Sequence, residues 1–166
     1  MFNAKSIANY FLELAAARGE SISPMKLQKL VYYAHGWYAG YTERPLINEA
    51  VEAWQYGPVI PSLYHEFKHF GSGSITAKAM EYDALGVREA KVPADPDVRT
   101  FLQNVYNSYG QYSGTHLSEM THASGTPWDQ TWSECRGTRG ADIPFSRISS
   151  HFKAAVQKSQ GQAGQA

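Results

Sequence analysis

Between Ser23 and Gly40 the chain places apolar residues on two opposite sides of one helix, which narrows the fold to a helical domain with this segment inside it. Ser23 supplies an N-capping hydroxyl, and Pro24 occupies the first helical position, where its missing N–H is no loss. At about 100° per residue, Leu27, Leu30, Val31, Ala34, Tyr38 and Tyr41 share one face, while Tyr32 and Gly36 point the other way. Gly36 lowers helix stability by about 1 kcal/mol relative to alanine, so its presence implies a close approach by a neighbouring element.

Other segments repeat the helical period. Asn3 caps a first helix that Gly19 ends, with Ile7, Phe11, Leu14 and Ala15 as its buried stripe. Pro61 opens a short helix closed by Gly71, and Asp95-Pro96 starts another with Val98, Phe101, Leu102, Val105, Tyr106 and Tyr109 on one side. Ser113 to His122 and Pro127 to Trp132 read as two short helices. Asp142 is the expected cap of a last helix bearing Phe145, Ile148, Phe152 and Val156. Ala50 to Tyr56 reads as a short strand or extended segment before a Gly57-Pro58 turn, and Gly71 to Pro96 as loop with minor structure. The expectation is a mostly α, single compact helical domain over residues 1–156 with a small extended or β-hairpin-like insertion. A disordered tail is expected over 157–166, where Gln, Gly, Ser and Ala dominate.

Composition limits the function classes. With 15 basic and 15 acidic residues the chain lacks the electrostatic footprint of a nucleic-acid binder, so no nucleic-acid partner is expected. The single cysteine, Cys135, forms no intramolecular disulfide, and no run of roughly 18 apolar residues offers a membrane span. A soluble, cytoplasmic protein without a membrane partner is the expectation. Eleven Tyr and four Trp exceed ordinary usage and fit either a core or a protein interface.

The sharpest chemical pattern is His65-Glu66-Phe67-Lys68-His69, an H-E-x-x-H sequence on an expected helix. Two histidines four apart share a face and suit zinc, with the glutamate as general base, as in a small metallopeptidase. Against this, the helix is short, and a third ligand is left to unplaced candidates: Glu81, Glu89, His116 or His122. No phosphate-binding glycine loop, dinucleotide turn or nucleophile elbow occurs. Tyr33, Trp37, Trp54, Tyr56, Tyr64 and Trp128 read individually as core or boundary aromatics. From the residues alone, the reading stops at a small helical domain.

Several segments in order nevertheless match a known pattern: Met25-Lys26-Leu27-Gln28-Lys29-Leu30-Val31-Tyr32-Tyr33-Ala34-His35-Gly36-Trp37, then Pro45-Leu46, then Glu52-Ala53-Trp54-Gln55-Tyr56-Gly57-Pro58-Val59-Ile60-Pro61. Leu63-Tyr64-His65-Glu66-Phe67-Lys68, Leu117, Thr121-His122 and Pro127-Trp128 follow. From about Ala4 to Phe152 the chain resembles the Panacea domain, the SocA-like antitoxin family that includes phage-associated GepA-like proteins. The resemblance implies a mostly helical, non-enzymatic antitoxin that neutralises a cognate protein toxin by direct binding, without cofactor or metal. It makes the zinc-like pattern part of the family's own helix, with His69 incidental. Tyr56, Tyr64, His65, Lys68, His122 and Trp128 are the partner-binding candidates that the resemblance implies. A zinc-dependent peptidase and a phage-encoded protein-binding adaptor are the alternatives.

Overall fold

A computed structural model describes residues 1–164. The elements in chain order are α1 (Ala4–Ala17), α2 (Pro24–Thr42), β1 (Glu52–Trp54), β2 (Gly57–Val59), α3 (Pro61–Phe67), β3 (Met80–Asp83), β4 (Gly86–Glu89), α4 (Pro96–Tyr109), α5 (Gly114–Thr121), α6 (Pro127–Glu134), β5 (Ala141–Asp142) and α7 (Phe145–Ala163). The fold is mostly helical with small antiparallel β pieces, as the patterning implies. Asn3 accepts from the Lys5 amide at 2.8 Å to cap α1, and Gly19 follows that helix at φ 67°. Ser23 caps α2 by accepting from the Lys26 amide.

α2 is buried continuously from Leu27 to Gly36 and packs against α1, α3, α4, α5, α7 and β2. Hydrophobic burial over this surface is the main force holding the helices around it. α7 supplies the close approach that Gly36 implies. A Cβ built on Gly36 would lie 2.2 Å from Cε2 of Phe152, and one on Gly40 would lie 2.8 Å from the Phe152 carbonyl carbon. Gly40 therefore does not end the helix. It is the second small residue in a strip on which α7 rests, and α2 runs on to Thr42 before Glu43 turns left-handed at φ 57°. Tyr41 lies beyond that packing and is 62% exposed, not on a buried face as its spacing implies.

The expected Gly57-Pro58 turn is a strand. Gln55 and Tyr56 make the turn, Trp54 pairs with Gly57 and Glu52 with Val59, and Gly57 takes φ 109°, which favours glycine. β5 pairs antiparallel with the other edge of β1, giving the order β2-β1-β5. Asp142 sits in that strand opposite Glu52 and so does not cap α7, which begins after Pro144 with no side-chain cap. The segment expected as loop with minor structure contains the β3–β4 hairpin, turned at Ala84-Leu85 and closed by Gly86 at φ 123°. Asn9 of α1 anchors it, donating to the carbonyls of Ala79 and Ala90 at 3.0 and 2.9 Å and accepting from the Ala79 amide at 2.7 Å. Beyond Val156, where the composition implies a tail, α7 continues to Ala163 as exposed helix. Extending a helix already fixed by packing requires no new nucleus, so polar residues suffice there. Positions 165 and 166 of the expected tail lie outside the described residues.

Candidate functional site: an aromatic groove floored by a buried lysine

The H-E-x-x-H segment does not assemble as a metal site. α3 ends at Phe67 and the chain tightens into a 3₁₀ turn over Lys68–Phe70, so His65 and His69 do not share one regular α-helical face. Glu66 is committed elsewhere: Oε2 meets Lys5 Nζ at 2.7 Å, and Oε1 accepts from the Met80 amide at 2.8 Å. Its carboxylate ties α3 to α1 and the β3–β4 hairpin. His69 lies against the Phe70 ring at 4.1 Å between centroids. Among the described residues no group of three His, Cys, Asp or Glu side chains is placed to hold a metal ion. The peptidase reading therefore lacks both its base and a third ligand.

The same helix instead forms one wall of a groove of about 420 Å³. Gln28 sets the wall's position, donating to the Ile60 carbonyl at 3.0 Å and accepting from the Ile60 amide at 2.9 Å. Those two bonds satisfy backbone groups next to Pro61, which itself has no N–H to offer. The first turns of α2 form the floor, α3 one side and the β1–β2 hairpin the other. Trp54 and Tyr64 meet edge to face at 4.7 Å, and the Arg139 guanidinium lies 3.5 Å over the Trp54 ring and 5.7 Å from the Tyr64 ring. Tyr56, 60% exposed, stands at the hairpin turn, and Lys68 is exposed at the edge.

Of the six sequence candidates, Tyr56, Tyr64 and Lys68 line this groove. His65 is exposed on α3 beside the Tyr64 ring and is not part of the lining. Trp128 is only 6% exposed and donates from Nε1 to the Trp54 carbonyl at 2.7 Å, so it props the hairpin from behind. His122 stacks on Trp128 at 4.0 Å, and its Nε2 is buried without a hydrogen-bond partner among the described residues.

Two groove residues escape sequence reasoning. Lys29 is 2% exposed, and its Nζ donates to the Pro58 carbonyl at 2.9 Å. Burial pushes its ammonium down to about 7, with no carboxylate among the described residues holding it up. The Lys29 charge adds to burial in lowering the His122 imidazole below its usual range. Gly57 leaves the space this ammonium fills: a Cβ there would fall 3.0 Å from Nζ and 2.7 Å from Thr121 Oγ1. A signal was present, because Lys29 precedes Tyr32 by three positions and Gly36 by seven, on the second apolar face of α2. Arg139 comes from a glycine-flanked loop with no periodicity to mark it.

Similarity to known proteins covers this region. The profile of the family described as antitoxin SocA-like, Panacea domain, matches residues 27–129, a stretch that includes the buried lysine and all six candidates but stops before Arg139. Antitoxin SocA of Caulobacter vibrioides is 39% identical over 129 residues, spanning 76% of this chain and 69% of that protein. No solved structure matches. With the H-E-x-x-H carboxylate bound to its own fold and both the profile and this relative spanning most of the helical domain, the chain belongs to the SocA-like, Panacea domain antitoxin family.

Proposed function

We propose that this protein is the antitoxin of a toxin–antitoxin pair and neutralises a cognate protein toxin by direct contact centred on the aromatic groove. Family membership carries the antitoxin role. The groove supports the mode of action: Trp54, Tyr56 and Tyr64 present aromatic area on short, stiff side chains, the kind of surface that concentrates binding energy at protein interfaces. No catalytic step is assigned to it.

The test is co-expression with the product of the neighbouring gene. That gene alone should arrest growth, and this protein should restore growth and co-purify with it. Tyr64→Ala should abolish both effects while the variant remains folded. A harmless neighbour, or arrest without rescue, would defeat the antitoxin reading. Rescue by Tyr56→Ala and Tyr64→Ala variants at wild-type levels would move the contact away from the groove.

A further inference from the structure

We propose that the groove recognises an acidic, apolar-anchored segment of the partner protein, with a carboxylate of that segment directed to Lys29 and Arg139. The inference rests on the antitoxin reading for the partner's identity, but its chemistry comes from the lining. The chain carries equal numbers of acidic and basic residues, yet among the described residues the groove is lined by Lys29, Lys68 and Arg139 and by no Asp or Glu; the Glu52 carboxylate, outside the lining, accepts from Trp54 Nε1 at 2.7 Å. That local excess of positive charge complements a carboxylate-bearing ligand.

Lys29 makes the complementarity specific. An ammonium has three donors, and among the described residues this one is hydrogen-bonded once, to the Pro58 carbonyl. Burial disfavours its charge, as its lowered proton affinity records, and the polar side chains beside it, Thr121 and His122, bring no carboxylate to offset that. An arriving carboxylate would restore the charged form and receive a hydrogen bond strengthened by desolvation. Beside it, Trp54, Tyr64 and the stacked Arg139 form a flat wall suited to an aromatic or aliphatic side chain next to that carboxylate. A nucleic-acid strand fits less well, because strand binding uses a basic track continued along the surface, and the 15 basic residues of this chain are matched by 15 acidic ones.

A displayed library of random peptides selected on the folded full chain tests this without requiring the toxin. Enriched sequences should pair Asp or Glu with an aromatic or aliphatic neighbour. Changing that acid to its amide should weaken binding by about tenfold, the scale of one lost charge-assisted contact. The same change should have little effect against Lys29→Met. Because Lys29 is buried, Arg139→Gln provides a second variant outside the core, and it should weaken the acidic peptides while leaving the thermal melt unchanged. Enrichment of neutral or basic peptides, no enrichment, or equal amide effects on all three proteins would overturn the proposal. Tighter binding of a thymidine oligonucleotide, or a dimer dissolved by Arg139→Gln, would reassign the groove to nucleic acid or to a second copy. Acidic-peptide binding together with failed toxin rescue would overturn the antitoxin reading alone.

Discussion

Replacing Gly36 with alanine sets two known effects against each other. In isolation the change favours helix by about 1 kcal/mol. In this fold the new methyl carbon would stand 2.2, 2.5 and 2.6 Å from Cε2, Cζ and Cδ2 of Phe152. The nearest of these falls short of an ordinary carbon–carbon contact by roughly 1.3–1.8 Å. The ring has little room to yield, being edge-on to Tyr32, Tyr33 and Trp37 at centroid distances of 6.0, 6.2 and 5.3 Å. The backbone of Phe152 rests on Gly40, so α7 would have to lift as a unit. Overpacking of this kind destabilises by about 1–3 kcal/mol and occasionally more, which outweighs the helix gain. The expected result for Gly36→Ala is a net loss of about 1 kcal/mol, or a melting temperature lower by roughly 2–4 °C in a chain of this size. Urea denaturation of the single and double variants with Phe152→Val isolates the cause, because valine lacks the three ring atoms. In that background Gly36→Ala should be neutral or stabilising by up to about 1 kcal/mol. An equal loss in both backgrounds, or a gain in the parent protein, would refute the packing argument.

The remaining predictions concern titration and the groove. Burial lowers the His35 imidazole from 6.5 to about 4, and its Nδ1 accepts from the Ile47 amide. The unfolded chain therefore takes up this proton first, and stability present above pH 6.5 should fall by up to about 3 kcal/mol as pH drops toward 4. His35→Asn should flatten that fall in urea midpoints measured across the range. Burial lowers the Lys29 ammonium from 10.5 to about 7, so its burial penalty should ease and stability should rise as pH increases from 7 to 9, where the unfolded chain holds the extra proton. An unchanged slope in Lys29→Met would sink that assignment. Trp128→Ala should destabilise by about 3–5 kcal/mol through loss of a buried indole and its bond to the hairpin. Tyr64→Ala, at a side chain 37% exposed, should lower stability by about 1 kcal/mol or less, so paired melts separate support from surface.

The helices were legible because α1, α2 and α4 bury stripes whose period survives in the sequence, and because Asn3, Ser23 and Asp95 cap them as their side chains allow. The β3–β4 hairpin was not, since β4 is exposed along its length and β3 is only partly buried near its start, leaving no inward alternation to read. Gly57-Pro58 marks a turn by residue type, but the turn itself lies two residues earlier, because the positive-φ glycine follows the turn and does not form its centre. Tyr56, Tyr64 and Lys68 were reachable through the family resemblance. Lys29 and Arg139 required coordinates, the first because a lysine in a helix ordinarily reads as solvated and the second because it approaches the groove from a distant loop.

The anchoring of the β3–β4 hairpin has an engineering consequence. The Ala90 amide donates to the Ala79 carbonyl at 2.9 Å, and Asn9 clasps both residues, so the path through the core is already joined before the hairpin begins. Its outer end, at Ala84-Leu85, is exposed and distinct from the residues that line the groove. A reporter domain spliced there, or new chain termini opened there by circular permutation, would hang from a joint that the core already closes.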